Sequence, residues 1–91
     1  MEFIWDETKR QANLKKHGLD FADAKQVFTG PMHTFEDARD AYGEQRMIGV
    51  GLLAARVVLV VHVESGNEIR ILSMRKAEKN EIERYYRSLF S

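Results

Sequence analysis

The stretch IRILSMRKA, residues 69 to 77, gathers Arg70, Arg75 and Lys76 just ahead of a helical segment. Arg75 and Lys76 stand at a strand-to-helix junction, beside the exposed N–H groups of the coming helix. Such donors and two cations together make a place for an anion such as phosphate. The plainer alternative is a pair of solvated charges bonded to Glu78 or Glu81. In a regular strand Arg70 and Arg75 have opposite parity, so at most one of them shares a face with a given partner. His62 is the second candidate. It lies in RVVLVVHVES and by alternation shares a face with Val60 and Glu64. A His and a Glu two apart on one strand face are close enough for a base and its orienting partner. The alternative is a half-buried strand histidine near a sheet edge. His17, at a helix end, and His33, which begins a strand after Pro31, are weaker candidates. The Tyr85-Tyr86 pair reads first as helix packing, with one hydroxyl able to reach a neighbouring site.

Other chemistries find no support. There is no H-x-x-x-H, no H-E-x-x-H and no EF-hand carboxylate cluster, so no metal centre is expected. GVGLLA lacks the third glycine and the lysine of a phosphate loop and reads as a strand with small residues. No G-x-S-x-G elbow occurs.

These residues need elements to position them. FIWDETKRQANLKKHG carries Asp6 as N-cap, Glu7 in its first turn, Lys15, Lys16 and His17 in its last, and Gly18 as stop. A second short helix starts at Asp20, aligns Phe21, Ala24, Val27 and Phe28, and ends at Gly30-Pro31. Residues 32–36, 45–51, 55–64 and 68–75 read as strands, with ESGNE a hairpin turn and GLLAAR a looser one. Ile82, Tyr85, Tyr86, Leu89 and Phe90 then form the apolar stripe of a last helix. The expected fold is α+β: two N-terminal helices, a four-stranded antiparallel sheet meander and a C-terminal helix.

Ninety-one residues, 44% apolar and 31% charged, suit one small domain over residues 1–91. With no cysteine, disulfides and thiolate metal sites are out, which suits a reducing compartment. No apolar run reaches the roughly 18 residues of a membrane span, and the acidic, aromatic start is unlike a signal peptide. A cytoplasmic protein is expected. The net charge of zero hides an asymmetry: residues 1–45 hold six Lys/Arg against nine Asp/Glu, and residues 46–91 eight against five. A generic nucleic-acid coat would be basic throughout; a local basic site in the C-terminal half remains open. No basic recognition helix of a DNA-binding repressor is visible.

Two blocks carry a resemblance over nearly the whole chain: W-D-x-x-K-x-x-x-N-x-x-K-H-G from Trp5 to Gly18, and I-R-I-x-S-x-R-K-A from Ile69 to Ala77. They resemble the BrnT family, bacterial ribonuclease toxins of type II toxin–antitoxin pairs with BrnA-type antitoxins. The resemblance implies a RelE-like fold, RNA cleavage that arrests translation, and an antitoxin that covers the active site. It also implies a heterotetramer that binds operator DNA through the antitoxin. No cofactor is implied. A metal-independent ribonuclease needs a base, an acid and cations for the phosphate. On that basis His62 with Glu64 is assigned to proton transfer, and Arg70, Arg75 and Lys76 to the phosphate. Arg46, Arg84 and Tyr85 are further RNA-binding candidates. The rival reading is a non-catalytic interaction module that acts only with its partner.

Overall fold

The β-branched run Arg56–Ser65 and the alternating run Glu68–Lys76 become the two longest strands in a computed structural model, which describes residues 1–39 and 41–90. In chain order the elements are β1 (Glu2–Trp5), α1 (Glu7–His17), a 3-10 turn (Phe21–Asp23), α2 (Ala24–Thr29), β2 (His33–Glu36), β3 (Met47–Leu53), β4 (Arg56–Ser65), β5 (Glu68–Lys76) and α3 (Lys79–Phe90). The α+β class stands. The sheet, however, has five strands in the order β1-β5-β4-β3-β2 and is mixed, because β1 runs parallel to β5. Four residues are too few to display an alternation of their own. Phe3 and Trp5 lie opposite Ile69 and Ile71 as members of that strand.

Directly opposed residues of an antiparallel pair share a face, and the register divides the sheet into two sides. On the first, the α1/α2 face, Val58, Val60, Ile69, Ile71 and Met74 pack under α1, the 3-10 turn and α2, with Phe21, Ala24 and Val27 at zero exposure. On the second, the α3 face, Ile48, Val50, Val57 and Leu59 pack against Tyr85, Ile82 and Leu89 of α3.

Gly49 and Gly51 lie on the α1/α2 face, opposite Val60 and Val58. A Cβ on Gly51 would meet Val27 Cγ1 at 2.8 Å, and one on Gly49 would collide with the Met32 methyl. The glycines let α2 and the chain after it sit close on β3, as a strand with small residues should.

Strand β1 stops at Trp5 because Asp6 caps α1, accepting the N–H groups of Thr8 at 2.8 Å and Lys9 at 3.2 Å. Past Ile71 the outer edge of β5 therefore has no strand beside it. A side chain takes over there: Asn13 Oδ1 accepts the Met74 N–H at 3.0 Å, and its Nδ2 donates to the Leu19 carbonyl at 3.0 Å. The asparagine of the first motif is thus a buried clamp between α1, the following turn and β5.

The β3–β4 connection is tighter than GLLAAR suggests. Leu53 pairs with Arg56, leaving a two-residue turn in which Ala54 and Ala55 both take positive φ, 49° and 68°. Two left-handed residues fit the sheet twist, but this conformation crowds the Cβ of each alanine. The double change Ala54→Asn with Ala55→Gly should raise unfolding stability by about 1–2 kcal/mol. A thermal melt several degrees higher is the expected readout.

Candidate functional site

One bulge rearranges the cations. The β4–β5 register passes from Val61 opposite Ser73 to His62 opposite Ile71, so Leu72 is an extra residue. A bulge resets the side-chain alternation. Arg70 and Arg75, of opposite parity in a regular strand, end up on the same α3 face. Lys76 does not join them, because by register it lies opposite Val58, and at the strand end it borders a separate depression with Val57, Ala77, Ile82 and Tyr86.

On the α3 face the register sets His33, Val50, Leu59 and Arg75 in one row across four strands, with Phe35, Ile48, Val61 and Ser73 in the next. Helix α3 crosses above the first row. Between helix and sheet lies a cleft floored by Phe35, Val50 and Leu59 and walled by His33, Glu81, Arg84 and Tyr85. Arg75 borders it through Glu81: its Nη1 and Nη2 donate to the two carboxylate oxygens at 2.9 and 2.8 Å. Glu81 Oε1 also accepts the Glu78 N–H at 2.8 Å, the return half of a capping box. The place expected for a phosphate at this helix start is held by the chain's own carboxylate. Arg75 keeps the Glu81 carboxyl below the usual carboxylate range, helped by the Glu78 N–H and by Arg84.

Arg84 is exposed and makes no ion pair among the described residues. Tyr85 is 1% exposed, and its hydroxyl donates to the Pro31 carbonyl at 2.8 Å, fixing α3 over the start of β2. Burial, and then the neighbouring Tyr86, push that phenol up. Its position is that of a packing residue.

Farther along the same face, Arg70 Nη2 donates to Glu44 Oε2 at 2.6 Å. Arg46 stacks on the Tyr42 ring, 4.0 Å from its centroid, and its Nε is buried without a hydrogen bond. Both belong with the β2–β3 loop. Buried Asp37 organises that loop by accepting Arg39 Nε and Nη2, each at 2.7 Å, and the Tyr42 hydroxyl at 3.3 Å. Arg39 lies near enough for its charge to act on Arg75. Nothing in EDARDAYGEQR marks Arg39 as part of this surface, because loop geometry alone brings it there.

The Arg39 guanidinium, with the Arg39 N–H and Tyr42 hydroxyl, lowers the Asp37 carboxyl from 3.8 to about 2. Since the folded chain takes up this proton later than the unfolded one, the stabilisation is complete above pH about 4. It is lost as pH falls from there towards 2. Asp37→Asn should lower stability at neutral pH and flatten the acid slope in that window, as read by urea unfolding across a pH series.

His62 is elsewhere. It is fully buried on the α1/α2 face, 5.0 Å from the Phe28 ring. The expected neighbour is present, with Nε2 to Glu64 Oε2 at 3.0 Å, while Nδ1 lies 3.0 Å from the Val60 carbonyl. Both partners are acceptors, so a neutral ring can donate to only one of them. The thickness of the sheet separates His62 from Arg70, Arg75 and Arg84. The structure brings His62 and Glu64 together, and separately Arg75, Arg84 and Tyr85, but does not join the two groups.

The whole is a small α+β domain with an arginine-rich, partly open sheet face. The five guanidiniums of Arg39, Arg46, Arg70, Arg75 and Arg84 are interleaved there with the carboxylates of Asp37, Glu44, Glu68, Glu78 and Glu81, and of the five only Arg84 makes no ion pair among the described residues. Such a surface suits a polyanionic ligand. Residues 5–81 match the family described as "Ribonuclease toxin, BrnT, of type II toxin-antitoxin system", and the chain belongs to that family. A crystal structure of the Brucella abortus ribonuclease toxin BrnT is similar, with a TM-score of 0.71 and 34% identity. The match covers 87% of this chain and 99% of that one. No curated protein matches in sequence. Family membership implies an antitoxin partner. No helix among the described residues is long and apolar enough to cross a membrane.

Proposed function

We propose that this toxin is an endoribonuclease whose RNA-binding surface is the α3 face of the sheet. The observation that carries the reading is the register around the bulge at Leu72, which puts Arg70 and Arg75 on one face, with Arg75 beside Leu59 in the floor of the cleft that Arg84 lines. Arg75 exchanges Glu81 for a phosphate, Arg84 meets the charge that develops in the transition state, and Arg39 adds to the local field. Arg70 and Arg46 hold flanking phosphates along the face, after Glu44 is displaced. Lys76 lies outside the Arg84 cleft and contributes only to the long-range field. His62 and Glu64 keep a structural role, and Tyr85 holds the cleft closed from beneath.

Cleavage proceeds by attack of the 2′-oxygen on the adjacent phosphorus, without a metal, since guanidiniums supply the positive charge. RNA cleavage arrests translation in the cytoplasm, as in RelE-like toxins, until a BrnA-type antitoxin covers the arginine-rich face. The complex is a heterotetramer bound to operator DNA through the antitoxin. The neutral total charge fits this arrangement: the basic site is local, and an acidic segment of the partner can neutralise it.

The test uses purified toxin with EDTA, on free single-stranded RNA and in a translating extract. Cleavage that leaves 2′,3′-cyclic phosphate ends, and that a 2′-deoxy sugar at the cut blocks, is expected. Intact RNA in both settings, with the protein folded, would leave a module that acts only through its partner.

A further inference from the structure

With His62 sealed in the core, the α3 face needs another group to move a proton, and the cleft contains one imidazole. We infer that His33 is the general base of this site, an assignment that rests on the ribonuclease reading above. Three observations support it. His33 lies in the same cross-strand row as Arg75, with the Val50 and Leu59 side chains as the floor between them. It lines the cleft together with Glu81, Arg84 and Tyr85. Its ring is only partly buried, rests against Phe35 with centroids 5.4 Å apart, and makes no hydrogen bond among the described residues. His62 is the opposite case, fully buried with both ring nitrogens at acceptors. A ring held by an aromatic neighbour, with neither nitrogen hydrogen-bonded among the described residues, is oriented and still available.

The neutral imidazole of His33 takes the proton of the 2′-OH as the 2′-oxygen bonds to phosphorus. The P–O5′ bond breaks, the 5′-oxygen leaves with the electron pair, and water protonates it. The products are a 2′,3′-cyclic phosphate and a 5′-hydroxyl end, and His33 returns its proton to solvent. The charged and titratable groups facing the ring are Glu81, Arg84 and Tyr85 on α3 and Arg75 on β5. Arg75 and Arg84 hold the phosphate beside the base, and Glu81, released by Arg75, keeps the Glu78 N–H as its partner and leaves the imidazole lone pair unclaimed.

The test follows single-turnover cleavage of a defined single-stranded RNA against pH. Wild type should show a rate that rises with pH and then levels, as a general base requires. His33→Asn, with an unchanged melting profile, should cut at least about 10²-fold more slowly at the plateau and lose that rise. Free imidazole should restore part of the rate to His33→Ala, which a loss of packing alone would not permit. A wild-type profile retained by His33→Asn would overturn the assignment while leaving the ribonuclease reading intact. If wild type cuts no RNA on or off the ribosome, the ribonuclease reading fails and this inference falls with it.

Discussion

Arg75→Ala and Arg84→Ala each lower RNA cleavage by about 10²–10³-fold, the usual loss when one donor to a transition-state oxyanion is removed, while the protein stays folded. Arg84 is exposed and makes no ion pair among the described residues, so its removal disturbs little packing. Arg75 is bonded to Glu81, but Glu81 keeps its second partner, the Glu78 N–H, and the start of α3 survives. Each change should also flatten the fall of RNA binding with salt, by about 0.7 in slope for every single-strand phosphate that is no longer neutralised. Lys76→Ala is the informative comparison. It removes an adjacent charge of the same sign that lies outside the cleft lined by Arg84 and should leave the rate within a few fold. Single-turnover rates of the three variants on one RNA decide the matter, and equal losses at Arg75 and Lys76 would mean that net charge, not the face, matters.

Asn13→Leu has the largest expected effect on stability. It leaves the Met74 N–H and the Leu19 carbonyl buried without partners. At roughly 1–3 kcal/mol for each orphaned group, the loss comes to about 2–6 kcal/mol, a large share of what a small domain possesses. Urea unfolding measures it directly. Asn13→Asp separates the two bonds, since its carboxylate can accept from Met74 but cannot donate to Leu19. A near-neutral Asn13→Leu would mean that the edge of β5 finds another partner, and the clamp assigned to this motif residue would be wrong.

Much of the fold was legible because each cue acts locally. Asp6 and Gly18 bracket α1 as a cap and a left-handed stop, with Gly18 at φ 70°. The β-branched runs mark β4 and β5, and the apolar stripe of α3 lands on the sheet as its spacing requires. Strand β1 escaped because its pairing with β5 joins residues more than sixty positions apart and its four residues carry no periodic signature. The site was harder to read. Alternation put His62 beside Glu64, and they are neighbours, but alternation cannot say which face a helix will cover. Nor can it announce a bulge. Leu72 looks like an ordinary strand residue, yet the slip there decides that Arg70 and Arg75 share a face. His33 stayed in the background because its cleft is completed by α3, some fifty residues later, and Arg39 because its loop is shaped by Asp37. A site built between elements leaves no spacing in the chain.

Hydrogen exchange with and without a 2′-O-methyl oligonucleotide, which cannot be cut, tests most directly whether RNA is held on the α3 face. Protection should concentrate in β2, the Arg75 end of β5 and the first turns of α3, around His33, Arg75 and Arg84. Protection confined to α1, α2 or the Glu64 end of β4, with those segments unchanged, would place the RNA on the wrong side of the sheet and contradict the account.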